Sequence, residues 1–318
     1  MLYWRGVNSQ CYGNDAVTAY HLAEATACLT VARSARSGRW GEALDARRAH
    51  HPNTIRFDRP TRTQPVSLTG TQCALDCAHC GGHYLEHMHP IWEVSPGEHA
   101  SSYLISGGCD AHGRVPVTSH LEQVARLHPG RRLNWHVGMV DEADMAAIAP
   151  LVDVISFDIV GDAETAREVY GLDADLDDYM ETLALLERYA PVVPHLTLGL
   201  FGGQIRAERQ ALSALAAHGV ERLILLVLIP TEGTRYAECA PPPLDQVAEV
   251  LLDARLMLPD AKLYLGCMRP FGAYRQALDE LAVRAGANVI VNPCRAAQTT
   301  AEELGLEILW GDECCGLD

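Results

Sequence analysis

The sequence predicts an α/β protein, either a (β/α)8 or a partial TIM-type barrel, with an N-terminal helical extension and a C-terminal tail. From Val66 onward, short runs of β-forming residues alternate with stretches of helical periodicity, and about eight such units suit a barrel. Several runs, such as ILLVLI and VISF, are almost continuously apolar, which is typical of parallel strands buried on both faces. A doubly wound open sheet is the alternative fold.

The predicted elements follow one another in barrel order. Residues 1–62 are predicted to form the helical extension, with helices over 16–36 and 41–48, and residues 63–318 the barrel and tail. The second helix is predicted to end at His51, Pro52 and Asn53. The predicted strands are 66–69, 103–106, 133–138, 152–160, 192–200, 222–229, 262–266 and 288–291. The helices between them are predicted over 118–127, 142–148, 179–189, 206–218, 244–258 and 273–285.

Charge and hydropathy narrow the function classes. The chain has 318 residues and a formal net charge of −16. A surface this acidic repels phosphate backbones and anionic lipids, so we expect no nucleic-acid and no membrane partner. The longest apolar run, over 223–230, has the length of a strand and not of a bilayer span. The segment MLYWRGVNSQ lacks the basic and apolar pattern of a secretory signal, so we expect a cytoplasmic protein.

The cysteines point to metal chemistry. The chain contains 11 cysteines, an odd number without an export signal, which favours metal binding or catalysis over disulfides. Cys73, Cys77 and Cys80 follow the first predicted strand with the spacing C-x3-C-x2-C. Iron–sulfur clusters need thiolates on a compact loop. Three ligands to a four-iron cluster leave one iron open to a substrate or cofactor.

Zinc is the alternative occupant of this loop. Four histidines lie nearby as further zinc ligands, namely His79, His83, His87 and His89. Structural zinc sites usually take four ligands in two separated pairs, whereas here three thiols lie within eight residues. The crowding favours the iron–sulfur cluster.

The segment LTGTQCALDCAHCGG resembles the signature of the radical S-adenosylmethionine (SAM) superfamily, which carries this spacing on the loop after the first barrel strand. The resemblance implies a [4Fe–4S] cluster on Cys73, Cys77 and Cys80 whose open iron binds SAM. His79, just before the third cysteine, stands where the family usually has an aromatic ring near the adenine. The same resemblance extends to four later positions in the chain.

Ser106, Gly107 and Gly108 resemble the Gly-Gly-Glu turn that holds the methionyl amino group, although Cys109 stands where the acidic residue is common. Asp158 stands where family members place a polar residue on the ribose, and a carboxylate accepts hydrogen bonds from two hydroxyls. Its alternative role is a helix N-cap or a surface acid.

Two glycine-bearing loops complete the resemblance. Gly199 begins the segment GLFGG, which resembles the glycine segment near the adenosine. Pro230 begins PTEGT, which resembles the Pro-x-x-Gly-Thr turn of biotin-synthase-like members. Ordinary loop chemistry is the alternative for both.

Five further cysteines are candidate ligands of a second, auxiliary iron–sulfur cluster. Three of them follow predicted strands and should point toward one barrel mouth, and two lie in the polar tail. They are Cys109, Cys267, Cys294, Cys314 and Cys315. The alternative is that they are small buried hydrophobic residues.

The motifs LISGGCD and GCMRP and the terminal Cys-Cys narrow the resemblance to the biotin-synthase-like group, in particular to a subunit of the archaeal-type two-component lipoyl synthase. This resemblance implies reductive cleavage of SAM, hydrogen abstraction from an octanoyl chain on a carrier-protein lysine, and sulfur insertion from the auxiliary cluster.

The implied partners are an octanoylated carrier protein or peptide, a sister radical SAM protein, and an electron donor of the ferredoxin or flavodoxin type. Two alternatives stay open. One is a radical SAM methylation or rearrangement of a small metabolite, and the other is a non-catalytic iron–sulfur subunit of a heteromeric pair.

Overall fold

The computed structural model describes residues 38–97 and 99–317, together with residues 26, 27, 29, 30 and 32. Most of the helix predicted over 16–36 therefore lies outside the described residues. None of the helices within the described ranges is both long and apolar enough to cross a lipid bilayer.

The described residues form one sheet of 11 strands in the order β11-β1-β10-β9-β8-β7-β6-β5-β4-β2-β3. Every strand pairing in it is parallel. The strands are β1 Thr54–Asp58, β2 Thr63–Ser67, β3 His89–Pro90, β4 Ser102–Ser106, β5 Arg132–His136, β6 Val154–Asp158, β7 Val192–Leu198, β8 Arg222–Val227, β9 Lys262–Leu265, β10 Val289–Val291 and β11 Glu307–Gly311.

Helices connect these strands. The α-helices of the described ranges are α1 Arg39–His50, α2 Leu121–Leu127, α3 Glu142–Ile148, α4 Ala163–Tyr170, α5 Leu176–Glu187, α6 Glu208–His218, α7 Leu244–Met257, α8 Gly272–Arg284 and α9 Arg295–Glu303. Short 3-10 helices span His83–His87, Ile91–Glu93, Ala149–Leu151 and Cys315–Leu317. Two helices begin at capping boxes, because Asp141 and Asp175 each accept backbone N–H groups of the first turn.

The strand order confirms a partial TIM-type barrel. Strands β4 to β10 lie side by side in chain order, whereas a doubly wound sheet reverses its order at a switch point. Strands β1 and β2 lie near opposite ends of the sheet, yet only residues 59–62 separate them. Since this link spans at most about 18 Å, the sheet must curl round on itself.

All eight predicted strands coincide with or overlap observed ones, and the helix predicted over 41–48 is part of α1. Strand β1 corrects the prediction for the first 62 residues, because Thr54–Asp58 is a strand of the main sheet and not part of a helical extension. Its buried Ile55 and Phe57 alternate with less buried Thr54 and Arg56, a five-residue pattern too short to stand out. Strands β3 and β11 and helices α4 and α9 were also absent from the prediction.

The C-terminal tail enters the barrel from the end where the strands begin. The Cys314 N–H donates to Thr63 Oγ1 at 2.7 Å, and Glu313 pairs with Arg132, so the tail contacts the first residues of β2 and β5. Cys315 and Leu317 are buried against inward-facing residues of β6 to β10, namely Val154, Val193, Ile224, Tyr264, Val289 and Val291. The tail thus fills the interior of the barrel at the end opposite the loops that follow the strands.

Candidate functional site

The cysteine loop begins directly after β2. The backbone N–H groups of Cys80 and Gly81 donate to Cys77 O at 3.2 and 2.9 Å, which closes a tight turn. Gly81 and Gly82 have φ of 49° and 81°, a left-handed conformation that glycine adopts without strain. The turn brings the Cys80 thiol back into hydrogen-bonding contact with the Cys77 thiol.

The thiols of this loop fit an iron–sulfur cluster. The hydrogen bond from Cys77 lowers the pKa of Cys80 to about 7, so a thiolate is accessible near neutral pH. Cys73 Sγ accepts a hydrogen bond from the Cys109 N–H at 3.3 Å, as ligand sulfurs of clusters do. All three cysteines are free thiols. Across residues 38–97 and 99–317, no three His, Cys, Asp or Glu side chains, those of the loop included, are gathered around a single-ion site.

The Gly107–Gly108 turn packs directly on the cysteine loop. The Gly108 N–H donates to Thr69 Oγ1 at 2.7 Å, and the Ala74 N–H donates to Cys109 O at 2.7 Å. A Cβ on Gly108 would lie 2.6 Å from Cys73 Cα and would also collide with Gln72 O. Glycine is therefore required here by the close approach of two backbones, and the turn after β4 lies against the first cysteine.

We expect Gly108→Ala to disturb the cysteine loop, because the added methyl group must push the backbone around Cys73 aside. Overpacking of this kind costs about 1–3 kcal/mol of unfolding free energy, which denaturant titration would measure. Iron bound per chain after anaerobic reconstitution should fall as well. Gly97→Ala is the matched control, since its Cβ would have only Ser95 O near it, at 4.0 Å. Equal stability and iron content of the two variants would show that Gly108 does not support the loop.

Asp158, at the end of β6, lies deep in the barrel, yet 43% of its side-chain surface is open to the interior. Helix α4 is capped by Asp162, so Asp158 is not its N-cap. His136 Nε2, at the end of β5, lies 3.3 Å from Asp158 Oδ2. Burial raises the pKa of Asp158, but His136, His195 and His79 outweigh it and lower the pKa to about 2. The carboxylate is therefore ionised at neutral pH.

His79 lies in a pocket of the cysteine loop. Its ring packs edge-on against Tyr84 and Tyr170, with centroids 6.0 and 5.6 Å apart. Burial lowers the pKa of His79 to about 4, so the ring is neutral at pH 7. Its Nδ1 is buried without a hydrogen-bond partner. An orphaned polar atom of this kind suits a polar ligand group such as that of an adenine.

The two predicted glycine loops differ in their relation to the cysteines. Gly199 has a φ of 71° and packs against Pro242, which would lie 2.6 Å from an added Cβ, so ordinary loop chemistry accounts for this glycine. The turn that begins at Pro230 lies against the cysteine loop, because Thr231 Oγ1 is 3.3 Å from the Tyr84 hydroxyl. Likewise the Tyr236 N–H donates to Ala78 O at 2.9 Å.

The five further cysteines separate into three places. Cys109 joins the loop cysteines through its N–H bond to Cys73. Cys267, Cys314 and Cys315 pack together in the barrel interior. The hydrogen bond from Cys315 lowers the pKa of Cys314 to about 7, whereas burial and the nearby Cys314 raise that of Cys267 to about 11. Cys294 is not among the residues of this packed group, and its N–H donates to Asp279 Oδ2 at 2.8 Å. The structure thus groups three of the five cysteines.

Three residues of the site were missed by the sequence analysis. His136 is the last residue of β5 and His195 lies in the middle of β7, and a histidine within an otherwise buried strand was the available signal. The third is Glu208, whose two carboxylate oxygens accept the N–H groups of Gly199 and Arg206 at 2.7 and 2.6 Å. This clamp, which holds the 199–206 loop in place, left no pattern in the sequence.

No protein-family model matches the sequence, and no curated protein matches it either. Solved structures match the fold. The crystal structure of a methylornithine synthase is 13% identical, with a TM-score of 0.57 over 92% of this chain and 97% of that one. The FeFe-hydrogenase maturase HydG from Carboxydothermus hydrogenoformans is 14% identical, with a TM-score of 0.59 over 86% of this chain and 70% of that one. Both are radical SAM enzymes of the biotin-synthase-like group, and the likeness shows a shared fold.

Proposed function

We propose that this chain is a radical SAM enzyme that holds a [4Fe–4S] cluster on Cys73, Cys77 and Cys80. One observation carries the proposal: a free three-thiol loop follows an early strand of a partial barrel, the fold that radical SAM enzymes also have. When bound, the cluster and SAM supply the one-electron cleavage that yields a 5′-deoxyadenosyl radical, chemistry that amino-acid side chains cannot provide.

The residues of the chain bind and orient the cofactors. The N–H of Cys109 stabilises the Cys73 thiolate, and the Gly107–Gly108 turn presents backbone groups beside it for the methionyl end of SAM. The Asp158 carboxylate would accept hydrogen bonds from the ribose hydroxyls, and His79 would lie beside the adenine. The tail closes the far end of the barrel, where its buried residues would exclude solvent and unintended hydrogen donors.

The proposal is tested by anaerobic reconstitution with iron and sulfide, followed by reduction in the presence of SAM. We expect 5′-deoxyadenosine and methionine in equal amounts, measured by liquid chromatography and mass spectrometry. A fully loaded protein that releases no 5′-deoxyadenosine would refute the proposal and would support the non-catalytic alternative.

Sulfur insertion into an octanoyl chain is the specific reaction that we propose, and the grouped tail thiols support it. Cys267, Cys314 and Cys315 lie together inside the barrel, and Cys314 is near enough to His136 for the two to interact electrostatically, so an auxiliary cluster there could supply sulfur to a substrate. The proposed partners are an octanoylated carrier protein or peptide, a sister radical SAM protein, and a ferredoxin- or flavodoxin-type electron donor.

A different observation favours a small polar metabolite as the substrate. The interior wall formed by β5 to β7 carries His136 and His195, with ring centroids 5.6 Å apart, which suit polar groups better than an alkyl chain. Incubation with SAM and an octanoyl-lysyl peptide, with and without the sister protein, separates the two reactions. A mass increase from added sulfur supports lipoyl synthesis, and 5′-deoxyadenosine without any change in the peptide supports the metabolite reaction.

A further inference from the structure

We propose that His136 is a positioning residue for the cofactor ribose, which holds the Asp158 carboxylate charged and directed into the barrel interior. This inference rests on the proposed function, because it concerns how the chain binds SAM. Its basis is the contact between two adjacent strand ends, β5 and β6, at the level of the cysteine loop.

The contact between His136 and Asp158 is buried, but part of each side chain is exposed to the barrel interior. His136 Nε2 lies 3.3 Å from Asp158 Oδ2 and is buried without a hydrogen-bond partner, so the contact is electrostatic. The remaining surface of both side chains is partly open, 34% for His136 and 43% for Asp158. A ligand in the interior can therefore reach the carboxylate without breaking the pair.

His136 also touches the other wall of the proposed SAM site. Its backbone carbonyl accepts a hydrogen bond from Ser106 Oγ at 3.1 Å. Ser106 immediately precedes the Gly107–Gly108 turn, which lies against Cys73. One residue of β5 thus connects the turn beside the cluster to the carboxylate assigned to the ribose.

Of the two strand histidines that face Asp158, His136 is the one whose pKa is raised. Burial lowers the pKa of His195 to about 4, so its ring is neutral at pH 7. Burial also opposes protonation of His136, but the charge of Asp158 outweighs it and raises the pKa. His195 is additionally committed through Nδ1 to Val193 O at 2.9 Å.

The pairing matters because an ionised carboxylate only accepts hydrogen bonds, whereas a protonated one must donate. Two ribose hydroxyls need two acceptors, and bonds to an ionised acceptor are the stronger ones. Without a neighbouring cation, a carboxyl group this deep in the protein shifts toward its protonated form. His136 therefore acts on the ribose through Asp158.

The test measures SAM binding to the iron-loaded protein without reductant, so no turnover occurs. Equilibrium dialysis compares SAM with its 2′-deoxy and 3′-deoxy analogues. We expect the analogues to bind the unchanged protein about tenfold more weakly than SAM, the effect of one lost hydrogen bond to a charged group. His136→Gln should bind SAM about tenfold more weakly than the unchanged protein does. It should bind the deoxy analogues almost as well as the unchanged protein binds them, because the substitution and the missing hydroxyl remove the same interaction. His136→Lys, which returns a cation, should regain part of the preference for SAM.

His218→Gln is the matched control, because it breaks a histidine–carboxylate pair of 2.7 Å with Glu187 on the protein surface. It should leave the preference for SAM unchanged. If His136→Gln does not retain its iron, the affinities for SAM and for the deoxy analogues are compared in His136→Lys instead. If His136→Gln still binds SAM about tenfold more tightly than the deoxy analogues, the inference is overturned, even if SAM and the analogues all bind more weakly than to the unchanged protein. Absence of SAM binding to the unchanged protein would instead count against the proposed function, and the inference would fall with it.

Discussion

Replacing Cys80 by alanine is expected to remove the [4Fe–4S] cluster and to reduce 5′-deoxyadenosine formation to background. The cysteine loop offers three thiols as cluster ligands. Two of them, Cys77 and Cys80, lie next to each other and share a hydrogen bond. A cluster left with two protein ligands loses the compact three-point attachment that holds it. Iron analysis, the visible absorption of the cluster and the cleavage assay measure the effect. The same result is expected for Cys73→Ala and Cys77→Ala.

Cys239→Ala serves as the control for these replacements. Cys239 is also a free, partly buried thiol, but it packs beside Gly202 and Tyr236 and not with either cysteine group. The variant should keep its iron and its cleavage activity. Wild-type cleavage rates in Cys80→Ala would show that the loop does not hold the reactive cluster.

The second large effect is expected from Cys314→Ala, in the tail. If the grouped tail thiols hold an auxiliary cluster, iron should fall from about eight to about four per chain. Release of 5′-deoxyadenosine should persist, because the loop cysteines are untouched, while sulfur transfer to the octanoyl-lysyl peptide should stop. Cys267→Ala should behave in the same way, since Cys267 packs with the tail thiols inside the barrel.

Cys294→Ala tests whether Cys294 is also a ligand of the auxiliary cluster, in addition to Cys267, Cys314 and Cys315. Cys294 does not belong to the packed group of Cys267, Cys314 and Cys315, and its N–H is bound to Asp279, so we expect this variant to keep all its iron. A chain that binds only about four irons before any replacement would eliminate the auxiliary cluster. It would leave the tail thiols with a packing role inside the barrel.

The regular part of the fold could be predicted because buried parallel strands leave strong local signals. The apolar runs of β6 and β8 and the periodic helices between strands need no knowledge of the partners. Strand β1 lacked such a signal. Its five residues form a strand only because β10 and β11 pair on either side of it, a long-range effect that a short polar–apolar alternation does not reveal.

The candidate site also has one part that the local sequence predicts and another that depends on contacts between distant parts of the chain. The spacing of Cys73, Cys77 and Cys80 is local, so the sequence alone could indicate it. The partners of Asp158 could not be predicted, since His136 and His195 come from the strands on either side of β6 and meet it only when those strands pair in this register. The separation of Cys109 from the tail cysteines likewise depends on how closely the turn after β4 approaches the cysteine loop.

The central claim is that the cluster on the three loop cysteines has an open iron that binds SAM. Electron–nuclear double resonance of the reduced protein tests it directly, with SAM labelled with ¹⁵N at the methionyl amino group. We predict a hyperfine coupling between the cluster and the ¹⁵N nucleus, which disappears in Cys80→Ala together with the cluster. A reduced cluster whose spectrum is unchanged by SAM and shows no ¹⁵N coupling would contradict the account.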